Sequence, residues 1–541
     1  MLNIFQTAST MTYLAWNGIP PLTDLVKTYR QHPAPQYWII CLQNDTFPTW
    51  RPSENPNATE TLLHQNLIKQ QQCLQFNSAN VFENILPGVY LWILPPAHAG
   101  RIHEYFPTAP VWQNEPVAQS LPEPQKPWFD IPRSRQPEHV LIIGAGIAGA
   151  STAYELAKHG VSVTVIESGK PAQAASGNHQ GLLYAKISPH DTEQTELLLN
   201  GYGYTRRLLQ HILPDQNGWG GNGILHLDYS EEESLRNHTL GQQTRHRHLY
   251  RHLSAHEAGE ISGIPLRHSA LYWPQGVWLN PERLIQALLD HPLIKVSTHN
   301  PLVSCGHDGK NWLAHTAKHT IRGSHIVYCT GAQSKQMPDP NVSLLPFRQI
   351  RGQTDLLPEN SFSRQLKCAI SANGYISPAW RGYHCFGATF IQHSQDTTWQ
   401  PSDLQTNIDQ LNMFNAAFTD NPQLFSDGLS HIGHAALRCD SADHLPIVGP
   451  LADISEMQQT YAKLALDKNY RLTTPCPYLP DAYINTAHGT RGLTTAPICS
   501  TMIAAHILGL PQPLSQRIRT AIHPNRIIIR AIARQKPLLQ K

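Results

Sequence analysis

The sequence predicts an α/β protein: a discontinuous nucleotide-binding domain carrying an inserted, largely antiparallel β-rich domain, with a small α/β segment in front. Three observations predict it. The run HVLIIGAGIAGASTAYELAKHGVSVTVIESG reads as strand, glycine turn, helix and strand within about 30 residues, the size of one βαβ unit. Two more such pieces, HIVYCTGAQS ending at Gly331 and DAYINTAHGTRGLTTAPICSTMIAAHIL near the end, lie far along the chain, so the Rossmann-like sheet is assembled from separated parts. Between them the chain is rich in Tyr, Trp, His and turn residues with short β-like runs.

Taken in order, residues 1–106 mix the strand-like QYWIICL and GVYLWIL with the helical TLLHQNLIKQQQCLQF. Residues 107–137 carry eight prolines, which can continue neither a helix nor a central strand, and read as a linker. Residues 138–214, 290–339 and 430–515 are assigned to the nucleotide domain, 215–289 and 340–429 to the inserted substrate domain, and 516–541 to a basic C-terminal tail.

At 541 residues the chain is long enough for three or four domain-sized units and a large core. Lys and Arg total 41 against 39 Asp and Glu, a formal +2 that excludes a globally basic polymer binder. No run approaches the roughly 18 apolar residues of a membrane span. The start, MLNIFQTASTMTYLAW, lacks the charged and apolar halves of a secretory signal, so a cytoplasmic protein is expected. Nine cysteines without a CxxC pair, and scattered histidines without HExxH, give no zinc signature, and no metal is expected.

Gly144, Gly146 and Gly149 form GxGxxG between the apolar strand Val140 to Ile143 and an alanine-rich helix. The first glycine permits the turn, the second lets backbone approach a pyrophosphate, and the third lets helix and strand pack closely. Free N–H groups at the helix start suit negative charge. Glu167 ends the next strand, 167 − 149 = 18 residues on, where an acid accepts ribose hydroxyls and repels a 2′-phosphate. Dinucleotide binding follows. The separated later pieces favour FAD, but residue patterns alone leave NAD open.

The segments AASGNHQGLLYAKIS, WPQGVWLNPERL, GYISPA, HCFGATF, RCDSADHLPIVGP, GTRGLTTAPIC and HPNRIIIR, in this order over about Pro137 to Lys536, resemble the flavin domain of the MnmC family. These are bifunctional tRNA 5-methylaminomethyl-2-thiouridine biosynthesis proteins, and the wider resemblance is to D-amino-acid and glycine oxidases. The resemblance implies FAD-dependent oxidation of a carboxymethylaminomethyl group at C5 of a tRNA wobble uridine. An aminomethyl group remains, glyoxylate is released, and molecular oxygen is the expected electron acceptor.

Carried over by position, Ser176, Gly177, Asn178, Gln180 and Gly181 are implied to lie along the flavin, although SGN alone reads equally as a turn. Thr490, Arg491, Gly492, Leu493 and Thr494 match the segment that brings a helix N-terminus to the flavin; an ordinary loop arginine is the alternative. Arg438 falls where such oxidases place a carboxylate-binding arginine, with a structural ion pair to Asp440 or Asp443 as the other reading. Tyr375 is a second candidate catalytic residue, though an aromatic in a β-rich domain can equally be core.

The chain departs from the resemblance at its start. Residues 1–136 contain only Gly18, Gly88 and Gly100, too few for a GxG loop around S-adenosylmethionine, and LWILPPAHAG lacks the aspartate of the family's FLDGFxP-like motif. A truncated methyltransferase remnant is expected, without S-adenosylmethionine and without the methylating step. Arg491, Arg517, Arg519, Arg526, Arg530, Arg534, Lys536 and Lys541 follow the last acidic residue, Asp481, and TRHRHLYRHL holds Arg245, Arg247 and Arg251. Such clusters suit tRNA phosphates, with a solvated helix face the alternative for TRHRHLYRHL and simple solubility for the tail. Three functional alternatives stay open: a free glycine or sarcosine oxidase, a bifunctional enzyme that retains methylation, and a silent FAD-containing tRNA-binding module.

Overall fold

The structure, a computed structural model, describes residues 11–420 and 433–538. It is an α/β fold built on three main sheets. The first has five strands, with Thr12–Asn17, Gln36–Cys41 and Val89–Leu94 parallel at its centre. QYWIIC is buried at every position, as expected of a strand covered on both faces. TLLHQNLIKQ forms helix Ala58–Gln70, capped by the Asn57 side chain, which accepts from Glu60 N. Val111–Trp112 pairs parallel with Thr12–Asn17, so the sheet extends into the stretch expected to be linker. The prolines begin to dominate only beyond that pairing.

The second sheet has six strands in the order Ile294–Ser297, Ser162–Ile166, His139–Ile143, His325–Tyr328, Tyr478–Thr486, Ile447–Ala452. All neighbours are parallel except the last pair. Its members come from three separated stretches, as the separated sequence pieces predict. Val140, Leu141, Ile142, Val163, Val165, Ile326 and Val327 are buried, which accounts for the near-continuous apolar runs. Helices Ile147–Ala157 and Gly492–Leu508 pack together on one face, where Thr152 Oγ1 donates to Ser500 Oγ at 3.0 Å.

The third sheet has nine strands and is antiparallel throughout except for Ile224–Leu227 beside Ala369–Ser371. Its spine is the 11-residue strand Arg348–Pro358. Gly433–Asp440 pairs along that spine, with Ile350 opposite Arg438 and Gly352 opposite Ala436. This strand, assigned from sequence to the nucleotide domain (430–515), therefore belongs to the nine-stranded sheet, because its hydrogen bonds are made there. Residues 421–429 of the expected substrate domain lie outside the described residues.

Residues 516–538 are not a tail. Gln516–Ile522 and Asn525–Ala533 are helices whose Ile518, Ile522 and Ile528 are buried. Their arginines are engaged within the chain: Arg517 with Asp191 and Glu193, Arg526 and Arg530 with Asp443, and Arg519 Nη2 with the Glu104 carbonyl at 2.6 Å. Lys541 lies outside the described residues. The acids come from segments far away in sequence, so a local charge count could not reveal them. The TRHRHLYRHL segment is likewise no solvated helix. It forms the short 3-10 turn Thr244–His246, which meets the N-terminal unit, and strand Arg251–Leu253, which pairs with Ala270–Trp273 in the nine-stranded sheet. His246 Nε2 accepts from Phe76 N at 3.0 Å and its ring stacks on Phe76, while Arg245 pairs with Asp45.

Candidate functional site

A cleft of about 1330 Å³ runs between the six-stranded and nine-stranded sheets. One end is the glycine turn. Gly144 has φ +102°, and a Cβ there would lie 2.5 Å from the Cys329 carbonyl oxygen. A Cβ on Gly149 would strike the Gly144 carbonyl, so this position closes helix onto turn and, unlike Gly144 and Gly146, does not line the cleft. The Glu167 carboxylate accepts from Ala145 N and Gly169 N, both at 2.8 Å, which fixes it beside the turn at the cleft wall. Ser176 Oγ accepts from Ile147 N at 3.2 Å, capping the first free N–H of the helix.

The ASGNHQG segment divides its work. Ser176, Asn178 and Gly181 line the cleft, and Gly177 and Gln180 do not. Gln180 is buried. Its Nε2 donates to the Pro378 carbonyl at 2.8 Å and its Oε1 accepts from Cys385 N at 3.0 Å, so its amide is consumed in fastening the segment to the nine-stranded sheet. A Cβ on Gly177 would lie 2.7 Å from the His434 ring, which makes this a packing position.

At the far side, Gly489 N donates to the Cys439 carbonyl at 2.7 Å, seating the His488–Thr494 turn against the strand that carries Arg438. Thr490, Arg491, Gly492, Leu493 and Thr494 all line the cleft, and Arg491 caps helix Gly492–Leu508. Two helix N-termini therefore face one space, a favourable setting for a polyanion or an anionic ring. His488 is held neutral, its pKa pushed down to about 3 by burial, with its ring nitrogens at Thr495 Oγ1 and Asn485 Oδ1.

Arg438 lines the cleft, and its Nη1 donates to the Thr389 carbonyl at 3.1 Å. The ion pairs considered from sequence do not form. Asp440 pairs with His444, and Asp443 with Arg526 and Arg530. Among the described residues no carboxylate lies within the 4 Å of an ion pair to Arg438, whose pKa burial lowers while nearby Tyr375 opposes the shift. A guanidinium can hold a carboxylate with two parallel hydrogen bonds, so the chemistry at this position suits an anionic group. Tyr375 also lines the cleft, but its hydroxyl donates to the Gln180 carbonyl at 2.8 Å. Sequence reasoning missed Gly352, Thr389, Tyr184 and His488; Tyr184 and Thr389 lie inside the AASGNHQGLLYAKIS and HCFGATF segments, where position alone gives no sign of their contacts.

The residues present fit a flavin dinucleotide: a glycine turn, an acid at the next strand end, two helix N-termini, and length enough in the cleft to reach Arg438. Among the described residues no group of three His, Cys, Asp or Glu side chains is placed to hold a metal, and no helix is long and apolar enough to cross a membrane.

Fold and site together define a flavin oxidoreductase. The model of the family described as FAD dependent oxidoreductase (DAO) matches residues 139–506, and the chain belongs to that family. The glycine oxidase of Bacillus cereus superposes with a TM-score of 0.54 at 19% identity, over 69% of this chain and 95% of that one. L-proline dehydrogenase from P. horikoshii gives 0.55 at 17%, over 72% and 98%. Within the family, the chain belongs with the tRNA 5-methylaminomethyl-2-thiouridine biosynthesis bifunctional proteins MnmC. It is 38% identical to that of Pseudomonas putida (strain GB-1) over 421 residues, 77% of this chain and 64% of the relative. To that of Chromobacterium violaceum it is 33% identical over 495 residues, 90% of this chain and 74% of the relative. The match thus spans 64% of the length of the first of these relatives.

Proposed function

We propose that the protein oxidises the carboxymethylaminomethyl group at C5 of a tRNA wobble uridine to aminomethyl, releasing glyoxylate. The observation that carries this reading is Arg438, a guanidinium with no carboxylate partner among the described residues, in the cleft of a flavin oxidoreductase related to MnmC proteins. Gly144, Gly146 and Glu167 would hold the adenosine and pyrophosphate end of FAD. Ser176, Asn178, Gly181 and the Thr490–Thr494 turn would border its remainder, with Gly149, Gly177 and Gln180 keeping that cradle in shape. FAD supplies a two-electron acceptor next to the substrate carbon.

Arg438 grips the glycyl carboxylate and holds the adjacent CH₂ in one orientation. The carbon–nitrogen bond loses two electrons and two protons. Water then adds to the resulting C=N bond, the bond breaks, and the amine stays on the uridine while the two carbons leave as glyoxylate. Tyr375 donates to the Gln180 carbonyl and so keeps the ASGNHQG segment in place beside Arg438. Molecular oxygen is the acceptor that returns the flavin to its oxidised state, and the cytoplasm, where tRNA resides, is the site of action. Residues 1–136 hold only Gly18, Gly88 and Gly100, so no S-adenosylmethionine loop and no methylating step is assigned to them.

The test is aerobic incubation of the purified FAD protein with tRNA carrying carboxymethylaminomethyluridine. Aminomethyluridine and trapped glyoxylate are expected in equal amounts; unchanged nucleosides with flavin bound would overturn the proposal.

A further inference from the structure

Phe390 lines the same cleft as Arg438 and exposes 53% of its surface. The other aromatic side chains there have their polar ends tied to the protein. The Tyr184 hydroxyl lies 2.9 Å from Ser371 Oγ, the Tyr229 hydroxyl donates to Glu233 at 3.5 Å, and Trp399 Nε1 donates to Asp355 Oδ1 at 2.8 Å. Tyr375 is held at Gln180. Phe390 has no ring packed on it among the described residues. An isolated exposed Phe on a convex surface would mean little, but one inside a binding cleft offers a flat apolar face to whatever enters.

Its mounting is rigid. The preceding residue, Thr389, is buried, its Oγ1 accepting from Gln353 N at 3.0 Å and its carbonyl receiving Arg438 Nη1. The neighbouring wall, which carries Thr397 and Trp399, is pinned by buried Arg351, whose Nε and Nη2 donate to the Asp396 and Thr398 carbonyls at 2.7 and 2.6 Å. Phe390 therefore stands one Cα step, about 3.8 Å, from the residue that steadies the guanidinium.

In the proposed substrate, the carboxylate carbon is four bonds from C5 of the uracil ring, a reach of about 5 Å. A carboxylate seated on Arg438 would leave the uracil about that far from the guanidinium, inside the cleft that Phe390 also lines. We propose that Phe390 is the stacking platform for the target uracil, so that the enzyme selects its substrate by the base at Phe390 as well as by the carboxylate at Arg438. A base drawn out of a single-stranded loop loses its stacked neighbours, and an aromatic face replaces them. Free glycine and sarcosine have no ring and gain nothing from Phe390, which biases the site toward nucleoside-linked glycine. The inference rests on the proposed tRNA substrate.

The experiment follows flavin reduction by an anticodon stem-loop carrying carboxymethylaminomethyluridine, in the FAD-loaded full chain and in Phe390→Ala, Phe390→Leu and Phe390→Tyr. Phe390→Ala is expected to raise the half-saturating RNA concentration by about 5- to 150-fold, the range that loss of one base–aromatic stack produces. Phe390→Leu should share most of that loss and Phe390→Tyr little of it, with flavin content and melting temperature unchanged in all three. Half-saturation unaltered in Phe390→Ala, or fully restored by Phe390→Leu, would overturn stacking. If instead the unmutated protein leaves the nucleoside unchanged, the proposed function fails as well.

Discussion

The guanidinium of Arg438 occupies the space that a Cβ on Gly352 would need. Gly352 sits opposite Ala436 on the long strand Arg348–Pro358, two residues along from the Arg438 register position. The missing side chain is what lets the arginine lie across the sheet and reach the Thr389 carbonyl. Gly352→Ala is therefore expected to push the guanidinium off its seat. The half-saturating substrate concentration should rise at least 10-fold on the scale of a charged hydrogen bond, roughly 1.5–3 kcal/mol, with bound flavin retained. Substrate titration of the yellow variant checks this, and an unchanged value would mean that the arginine has another way to bind.

Gly149 is the tightest point of the glycine turn, since its Cβ would meet the Gly144 carbonyl. Gly149→Ala has to separate helix Ile147–Ala157 from the turn, and overpacking of this kind costs about 1–3 kcal/mol. The expected result is protein purified with much less FAD, read from the ratio of flavin to protein absorbance. Full flavin occupancy would show that the turn tolerates the extra methyl.

Lys158 joins the N-terminal unit to the nucleotide sheet. Its Nζ lies 3.0 Å from Glu83 and 2.7 Å from Glu155, and Tyr204 donates to both carboxylates. The pairing holds Glu83 below the usual carboxylate range and Lys158 above its own, while burial raises Glu155. Lys158→Met leaves the buried Glu155 and the partly buried Glu83 carboxylates facing each other without this cation. Breaking a buried pair costs about 3–5 kcal/mol, so the melting temperature should fall by several degrees, and Glu83→Gln in the same chain should restore part of it. A melting temperature unaffected by Lys158→Met would mean that the cluster does not secure the unit.

Burial pushes His159, His246, His488 and His523 down to about 3 from an ordinary value of 6.5. Between those values the folded protein refuses protons that the unfolded chain accepts, so stability is present above about pH 6.5 and is lost as pH falls below it. Glu233, lowered to about 2 with its His226 and Lys186 hydrogen bonds opposing burial, adds a loss of the same sign below about pH 4.5. The melting temperature should already drop between pH 7 and pH 5, with proton uptake on unfolding measurable by calorimetry in two buffers. A flat profile across that window would remove the argument.

The dinucleotide end of the site was legible because its parts are local: GxGxxG, the preceding strand and Glu167 lie within one βαβ unit, and backbone geometry alone demands their spacing. Arg438 could be singled out only through the resemblance of its surrounding segment. Sequence could not separate Ser176 and Asn178, which face the cleft, from Gln180, which faces the sheet, since that depends on where Pro378 and Cys385 arrive. Charge was the least legible. Arg517, Arg526 and Arg530 form an unopposed basic run in sequence, yet Asp191, Glu193 and Asp443 meet them in space.

By itself, then, the sequence determined the βαβ nucleotide unit, the α/β class and the flavin family, because each rests on contacts between near neighbours or on ordered motifs. The tertiary structure decided that Arg438 faces the cleft with no ion pair among the described residues, that Gly352 and Thr389 seat it, and that Phe390 stands exposed in the same cleft. Those outcomes depend on strand register and on partners more than 30 residues apart along the chain, and side-chain alternation within a segment carries no information about which distant strand will lie alongside it.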